Sequence, residues 1–148
     1  MNAQTSRIRV MLVEDQTLLR RAFAKLLSLE EDIEIAAEAA DGEEAIRMAR
    51  AHRPDVILMD LQMPRLDGIA ATRRIIADLP ETHVIVLTTF EDDEQIFNAI
   101  NAGAAGYLLK DSREAEIIEA IRVAAKGASA LSPRIAHKLL TAFKTMNA

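Results

Sequence analysis

The chain of 148 residues contains no cysteine. This absence excludes disulfide bonds, thiolate metal sites and a cysteine nucleophile. The amino-terminal sequence Met-Asn-Ala-Gln-Thr-Ser-Arg is polar and lacks the apolar core of a secretory signal peptide. Nowhere does an apolar stretch approach the length that crosses a bilayer. We therefore expect a cytoplasmic protein that has no membrane partner.

The sequence favours neither a protein with a histidine-based zinc or catalytic site nor a P-loop nucleotide-binding protein. The three histidines, His52, His83 and His137, are too scattered to predict a zinc site or a catalytic dyad. The chain also lacks the glycine-rich motif ending in Lys-Ser or Lys-Thr that P-loop nucleotide-binding proteins carry.

Negative charge is concentrated in residues 1–128, which hold all 23 acidic side chains but only 15 of the 18 basic ones. The other three basic side chains, Arg134, Lys138 and Lys144, lie in residues 129–148, which contain no acid. An acidic domain matches the phosphate backbone of nucleic acid poorly, and three basic residues are too few for a nucleic-acid footprint. We expect one main domain, residues 1–128, followed by a short segment, residues 129–148.

Apolar, β-branched runs alternate with helical patterns along the main domain. The runs predict five strands, near residues 8–13, 33–35, 56–59, 84–87 and 107–109. Alternation of this kind predicts an α/β fold in which helices cover both faces of a parallel sheet. Because crossovers are right-handed, few strand orders remain. The order 2-1-3-4-5 places the first and third strands side by side.

Polar side chains follow four of these strands. Glu14 and Asp15 come after the first strand, Asp60 after the third and Lys110 after the fifth, while Thr88 ends the fourth. The carboxyl ends of parallel strands form one edge, where open α/β sheets bind ligands. Clustered carboxylates raise one another's pKa unless a cation compensates, and Mg²⁺ accepts one or two carboxylates together with a phosphate. A single acid after a strand is commonly a solvated helix cap, but the whole set favours a site for Mg²⁺ and a phosphoryl group.

The same side chains lie in longer motifs: Val13-Glu14-Asp15, Met59-Asp60-Leu61-Gln62-Met63-Pro64 with Asp67-Gly68, Leu87-Thr88-Thr89, and Gly106-Tyr107-Leu108-Leu109-Lys110. Together they resemble the receiver domain of two-component response regulators over roughly residues 7–127. The resemblance implies a flavodoxin-like receiver fold with a five-stranded sheet. Leu87-Thr88-Thr89-Phe90 and Leu109-Lys110-Asp111 are similar to receivers that control a LuxR/NarL-type helix-turn-helix domain.

Specific roles follow from the resemblance. It implies that Asp60 accepts a phosphoryl group from a phosphohistidine on a sensor histidine kinase. It also implies that Glu14, Asp15, Asp60 and the backbone carbonyl of Gln62 hold Mg²⁺. Lys110 and Thr88 are then expected to bind the phosphoryl oxygens, and Tyr107 to change rotamer as Thr88 moves. For Tyr107, an ordinary packing role is at least as good an interpretation from the residue alone.

Two positions near the site bear on its chemistry. In this family, positions such as Gln62 and Phe90 flank the attacking water, and we hypothesise that the bulk of Phe90 slows loss of the phosphoryl group. Phosphatases that use an aspartyl-phosphate intermediate typically carry a second aspartate where this chain has Gln62. The sequence therefore favours a signalling switch over a turnover enzyme.

The segment after Gly127 predicts one more helix. Ser132-Pro133 is typical of a helix start, and an apolar stripe follows at Ile135, Ala136, Leu139, Leu140 and Phe143. The helix either packs on its own domain or acts as a linker or homodimer contact. Up to Ala148 no recognition-helix pattern follows, so we expect DNA binding only through an output domain outside this sequence. A stand-alone receiver that docks on a partner protein is the alternative.

Overall fold

Strands and helices alternate through the computed structural model, which describes residues 6–63, 65–89 and 92–146. The strands are β1 (Ile8–Val13), β2 (Ile33–Ala39), β3 (Val56–Met59), β4 (His83–Thr88), β5 (Gly106–Leu109) and β6 (Ala130–Leu131). The helices are α1 (Thr17–Ser28), α2 (Gly42–His52), α3 (Gly68–Asp78), α4 (Asp93–Asn101), α5 (Glu114–Ala125) and α6 (Pro133–Met146). Within the described residues, none of these helices has the length and apolar character that a membrane span requires.

All strand pairs are parallel, and the order across the sheet is β2-β1-β3-β4-β5-β6. The predicted order 2-1-3-4-5 is therefore confirmed for the first five strands. The prediction of five strands was wrong by one, because β6 adds a sixth strand at the edge beside β5. This short strand lies in the segment after Gly127, where two paired residues leave too weak a pattern to detect by periodicity.

Alternating side chains along the strands build an apolar layer on each face of the sheet. Val10 and Leu12 of β1 face α1 and α5, whereas Met11 and Val13 face α2 and α3. Every one of these four side chains is buried. Because both faces are covered, side chains reach solvent mainly where the strands end, and the carboxyl edge carries the polar residues.

Gly106 allows β6 to approach the sheet closely. A Cβ atom at this position would lie 2.5 Å from the carbonyl oxygen of Ala130 and 2.8 Å from its Cβ. Any larger residue at position 106 would therefore push β6 away from β5. The absence of a side chain at Gly106 is what permits the sixth strand.

Helix α6 packs on its own domain. Ile135 is fully buried in a cluster with Val86, Ile96 and Tyr107, and Leu139 packs against the same cluster. At the surface, Lys138 lies 3.8 Å from the Asp93 carboxylate of α4. Further along the same apolar stripe, Leu140 and Phe143 are each 60% exposed. Helix α6 therefore packs on its own domain, and whether it also acts as a linker or homodimer contact stays a prediction.

Replacing Ile135 by alanine should separate the packed face of α6 from its exposed face. Ile135→Ala removes fully buried methyl groups, so we expect a loss of about 2 kcal/mol or more in the free energy of unfolding. Leu140→Ala, the matched control on the exposed face, should change it by less than about 0.5 kcal/mol. Urea unfolding followed by circular dichroism measures both. Equal effects of the two substitutions would contradict the docked position of α6.

Candidate functional site

The edge of the sheet brings three carboxylates together. Oxygens of Glu14, Asp15 and Asp60 all lie within 4.8 Å of one another. The cause is the adjacency of β1 and β3, in which Val13 pairs with Met59 and the Asp60 N–H donates to the Val13 carbonyl at 3.1 Å. Glu14 and Asp60 are buried, whereas Asp15 is exposed. The site therefore has a buried floor and an opening to solvent.

Lys110 is the cation that the structure places among these acids. Its Nζ lies 2.6 Å from Oε1 of Glu14 and 3.5 Å from Oδ1 of Asp60. The backbone N–H of Lys110 donates to the Thr88 carbonyl at 2.8 Å, which fixes the start of the side chain beside the end of β4. With only 18% of the side chain exposed, the ammonium group is held between two carboxylates and not in bulk solvent.

This arrangement raises the pKa values of both Asp60 and Lys110. Burial, followed by the negative charge of Glu14, raises the pKa of Asp60 from its ordinary value of 3.8 to about 6, although Lys110 and the Gln62 backbone partly oppose the rise. Burial on its own would lower the pKa of Lys110, but the hydrogen bond to Glu14 and the two carboxylate charges outweigh it and raise that pKa. One lysine thus does not neutralise the acids, and the site retains excess negative charge.

The other predicted site residues lie behind and beside the acids. Thr88 is buried at the end of β4, and Tyr107 is fully buried on β5. The Tyr107 ring belongs to the cluster that contains Ile96 and Ile135, so α4 and α6 both cover it. Tyr107 therefore has a packing role in the core of the domain.

The loop after Asp60 is held by close backbone approaches. The Gly68 N–H donates to the Leu61 carbonyl at 3.0 Å, and a Cβ at Gly68 would collide with the carbonyl oxygen of Asp60. The backbone N–H of Gln62 donates to the Asp60 carboxylate, and the Gln62 side chain is exposed. Pro64 and Phe90 lie outside the described residues, so the hypothesis about Phe90 stays a hypothesis.

A second tie connects this loop to helix α2. Arg65 has a left-handed backbone with φ 74° and lies 3.4 Å from the Asp41 carboxylate. At Gly42, a Cβ atom would collide with the carbonyl of Leu66. The sequence gives no local signal of this contact, because its partners lie more than twenty residues apart along the chain.

Arg20 also contacts the site, although no motif in the sequence points to it. Its guanidinium lies between the end of β1 and the end of β2 and donates to the Glu14 carbonyl at 2.7 Å and to Glu38 at 3.0 Å. No local pattern distinguishes this arginine from Arg21 next to it. Only the partner on β2, 18 residues further along the chain, identifies it.

The donor set suits a hard divalent cation. Three carboxylates supply oxygen ligands, and the exposed Asp15 leaves a route for an ion that keeps several waters, as Mg²⁺ does. The excess negative charge gives such an ion an electrostatic reason to bind. Beside it, the Asp60 carboxylate lies 3.5 Å from an ammonium group, an arrangement that suits transfer of a phosphoryl group to a carboxylate.

Comparisons with known proteins agree with this geometry. The family model of the response regulator receiver domain matches residues 10–122. The transcriptional regulatory protein LiaR of Bacillus subtilis is 47% identical over 134 residues, which make up 90% of this chain and 64% of LiaR. The uncharacterized transcriptional regulatory protein YxjL of the same organism is 44% identical over 135 residues, or 91% of this chain and 62% of YxjL. The chain thus spans less than two thirds of these relatives.

A solved structure is also similar over nearly its whole length. The crystal structure of a LuxR-family two-component response regulator from Aurantimonas sp. SI85-9A1 superposes with a TM-score of 0.86 at 35% identity. The match covers 92% of this chain and 97% of that one. The α/β receiver fold is therefore shared.

Replacing Asp60 by asparagine should change how stability depends on pH. Because the pKa of Asp60 is higher in the folded protein than in the unfolded chain, the folded state binds more protons between about pH 4 and pH 6, and stability falls as pH rises through this range. Asp60→Asn should not lose stability in this way, because asparagine does not ionise. In buffer containing EDTA, we expect the variant to gain about 2 kcal/mol relative to wild type between about pH 4 and pH 7.5. Urea unfolding measures the difference, and a difference that does not vary with pH would contradict the raised pKa.

Proposed function

Because the chain belongs to the response regulator receiver domain family, we propose that it is a signalling switch phosphorylated on Asp60. Response regulators work with sensor histidine kinases, so the proposed donor is a phosphohistidine of such a kinase. The observation that carries the proposal is the Asp60 carboxylate lying within 4.8 Å of two further acids and 3.5 Å from Lys110. A buried acid in these surroundings has few purely structural uses.

In the proposed transfer, a carboxylate oxygen of Asp60 attacks phosphorus as the phosphorus–nitrogen bond to the kinase histidine breaks. Asp60 must be ionised to attack, and Lys110 stabilises that form. Glu14, Asp15, Asp60 and the backbone carbonyl of Gln62 are the proposed ligands of Mg²⁺, since receiver domains generally bind this ion at an acidic pocket. When bound, Mg²⁺ offsets the negative charge that accumulates during an in-line transfer.

Lys110 and Thr88 are the proposed partners of the phosphoryl oxygens. The phosphorylated side chain carries about 1.5 to 2 negative charges and offers strong acceptor oxygens. Lys110 already lies between Glu14 and Asp60, so a small movement of its ammonium group is enough to reach a new anion. Thr88 ends the neighbouring strand β4 and has a hydroxyl group that can donate.

The signal is proposed to reach the surface through Tyr107. Thr88 pairs with Leu109 of β5 in the same strand that carries Tyr107. The Tyr107 backbone pairs with Leu131 of β6, and its ring packs with Ile135 of α6 and Ile96 of α4. A rotamer change of Tyr107 therefore requires repacking under α4 and α6. A surface built from α4, β5 and α6 would thus have two packing states, which phosphorylation biases.

The effect of this switch is proposed to be regulation of transcription in the cytoplasm. LiaR and YxjL are named as transcriptional regulatory proteins and are longer than the matched region. We propose that residues 1–128 form the receiver domain and residues 129–148 the link to a LuxR/NarL-type output domain, which would bind DNA. Activation would favour a homodimer. A receiver that acts by docking on another protein is the alternative, and Gln62 argues against an aspartyl-phosphate phosphatase.

Mass spectrometry after incubation with acetyl phosphate and Mg²⁺ tests the phosphoacceptor directly. Wild type should gain the mass of one phosphoryl group, and Asp60→Asn should gain none because the nucleophile is missing. Asp111→Asn, an exposed acid next to Lys110, is the matched control and should be modified like wild type. Equal modification of wild type and Asp60→Asn would remove the basis of the proposal.

Intrinsic fluorescence offers a test of the Tyr107 switch, because the chain has one tyrosine and no tryptophan. Beryllofluoride with Mg²⁺, which mimics the phosphoryl group on an aspartate, should change the tyrosine emission of wild type. Asp60→Asn should show no change under the same conditions. An unchanged emission from wild type that has demonstrably bound beryllofluoride would show that Tyr107 does not respond.

A further inference from the structure

Two neighbouring arginines at the start of α1 have different environments. Both Arg20 and Arg21 lie near the Glu38 carboxylate of β2, at 3.0 Å and 3.8 Å respectively. The Arg20 side chain is only 14% exposed, whereas that of Arg21 is 69% exposed. Only Arg20 reaches past Glu38 to the site, where its Nη1 donates to the backbone carbonyl of Glu14 at 2.7 Å.

The carbonyl that Arg20 holds belongs to the peptide group between Glu14 and Asp15. Because a peptide group is planar, fixing its oxygen fixes its orientation and therefore the direction in which the Asp15 backbone continues. A charge-assisted hydrogen bond from a guanidinium group is among the stronger ways to do this. Arg20 thus acts on the backbone of one predicted metal ligand at the point where the next ligand begins.

Asp15 depends on this backbone more than its neighbours do. The Glu14 side chain is held by Lys110 at 2.6 Å and by the Gln16 N–H at 3.1 Å. The Asp60 side chain is held by Lys110 and by the Gln62 N–H. By contrast, none of the described residues makes a hydrogen bond or ion pair with the Asp15 carboxylate. Its position is therefore set by the peptide group that precedes it.

Glu38 holds the Arg20 guanidinium from the side of β2. It binds the Arg20 Nε on the side away from the site, so the guanidinium is held between β2 and the end of β1. The cation that lowers the pKa of Asp60 is Lys110, and Arg20 is not among the groups that shift this pKa. Its charge is balanced by Glu38, and its contact with the site is through a backbone oxygen.

We propose that Arg20 is a positioning residue that orients Asp15 for Mg²⁺. This inference rests on the proposed function, because it requires that the acidic cluster bind the ion. The proposal predicts in which direction the affinity for Mg²⁺ changes when Arg20 is removed. If Arg20 acted only through its charge, removing it would tighten the binding of a cation. If it positions Asp15, removing it weakens binding, and partners behind the ligands of a metal site typically contribute a factor of ten or more.

The test measures the affinity for Mg²⁺ alone by isothermal titration calorimetry. The protein is stripped with EDTA and held well below its midpoint of thermal unfolding, with the folded fraction checked by circular dichroism. Four proteins are compared: wild type, Arg20→Ala, Arg20→Lys and Arg21→Ala. Arg21→Ala removes the same charge from the same helix turn and is the matched control. Arg20→Lys keeps the charge but cannot hold the carbonyl and Glu38 in the same two-pronged way.

Arg20→Ala is expected to bind Mg²⁺ about tenfold more weakly than wild type. Arg20→Lys should fall between the two, and Arg21→Ala should bind as tightly as wild type or slightly more tightly. Unchanged or tighter binding by both Arg20 variants would overturn the proposal, as would an equal loss in Arg21→Ala. If Arg20→Ala does not fold, the comparison of Arg20→Lys with Arg21→Ala decides. Wild type that binds no Mg²⁺ would instead refute the proposed function.

Discussion

The crowding of two buried carboxylates against one ammonium group is the constraint on which the rest of the site depends. Glu14 and Asp60 share Lys110, and the pKa of Asp60 nevertheless rises to about 6. If Glu14 and Asp60 served only the stability of the fold, an apolar pair would be expected at these positions. Such a pair is commonly as stable as a buried pair of charged groups, or more stable. The excess negative charge of this cluster favours the binding of a cation.

The parallel sheet is what enforces the crowding. Neighbouring β1 and β3 bring Glu14 and Asp60 to the same edge, and the packed layers on both faces keep the strands from moving apart. Contacts from distant parts of the chain then fix the loops: Arg20 with Glu38, Arg65 with Asp41, and the close approach of Gly68 to Asp60. These contacts hold the backbone around the site in position, and none of them uses the carboxylate of Glu14, Asp15 or Asp60.

The fold and the acidic edge could be predicted because their signals are local. An apolar run predicts a strand by itself, and the residue at the end of that run can be read directly, as with Asp60 and Lys110. Strand β6, the burial of Ile135 and the role of Arg20 could not be predicted. Each depends on a partner far away in the chain: Gly106 for β6, the Tyr107 cluster for Ile135, and Glu38 for Arg20. The spacing of residues along the chain does not identify such distant partners unless the order of the strands is known.

The most direct test of the crowded site is the pKa of Asp60 itself, measured by a carbon-13 NMR titration of the aspartate carboxyl groups. In the presence of EDTA, the Asp60 resonance should titrate near pH 6, well above the ordinary value of 3.8. Adding Mg²⁺ should lower the pKa of Asp60 because the cation offsets the charges of Glu14 and Asp15. An Asp60 that titrates at its ordinary value and does not respond to Mg²⁺ would contradict the account.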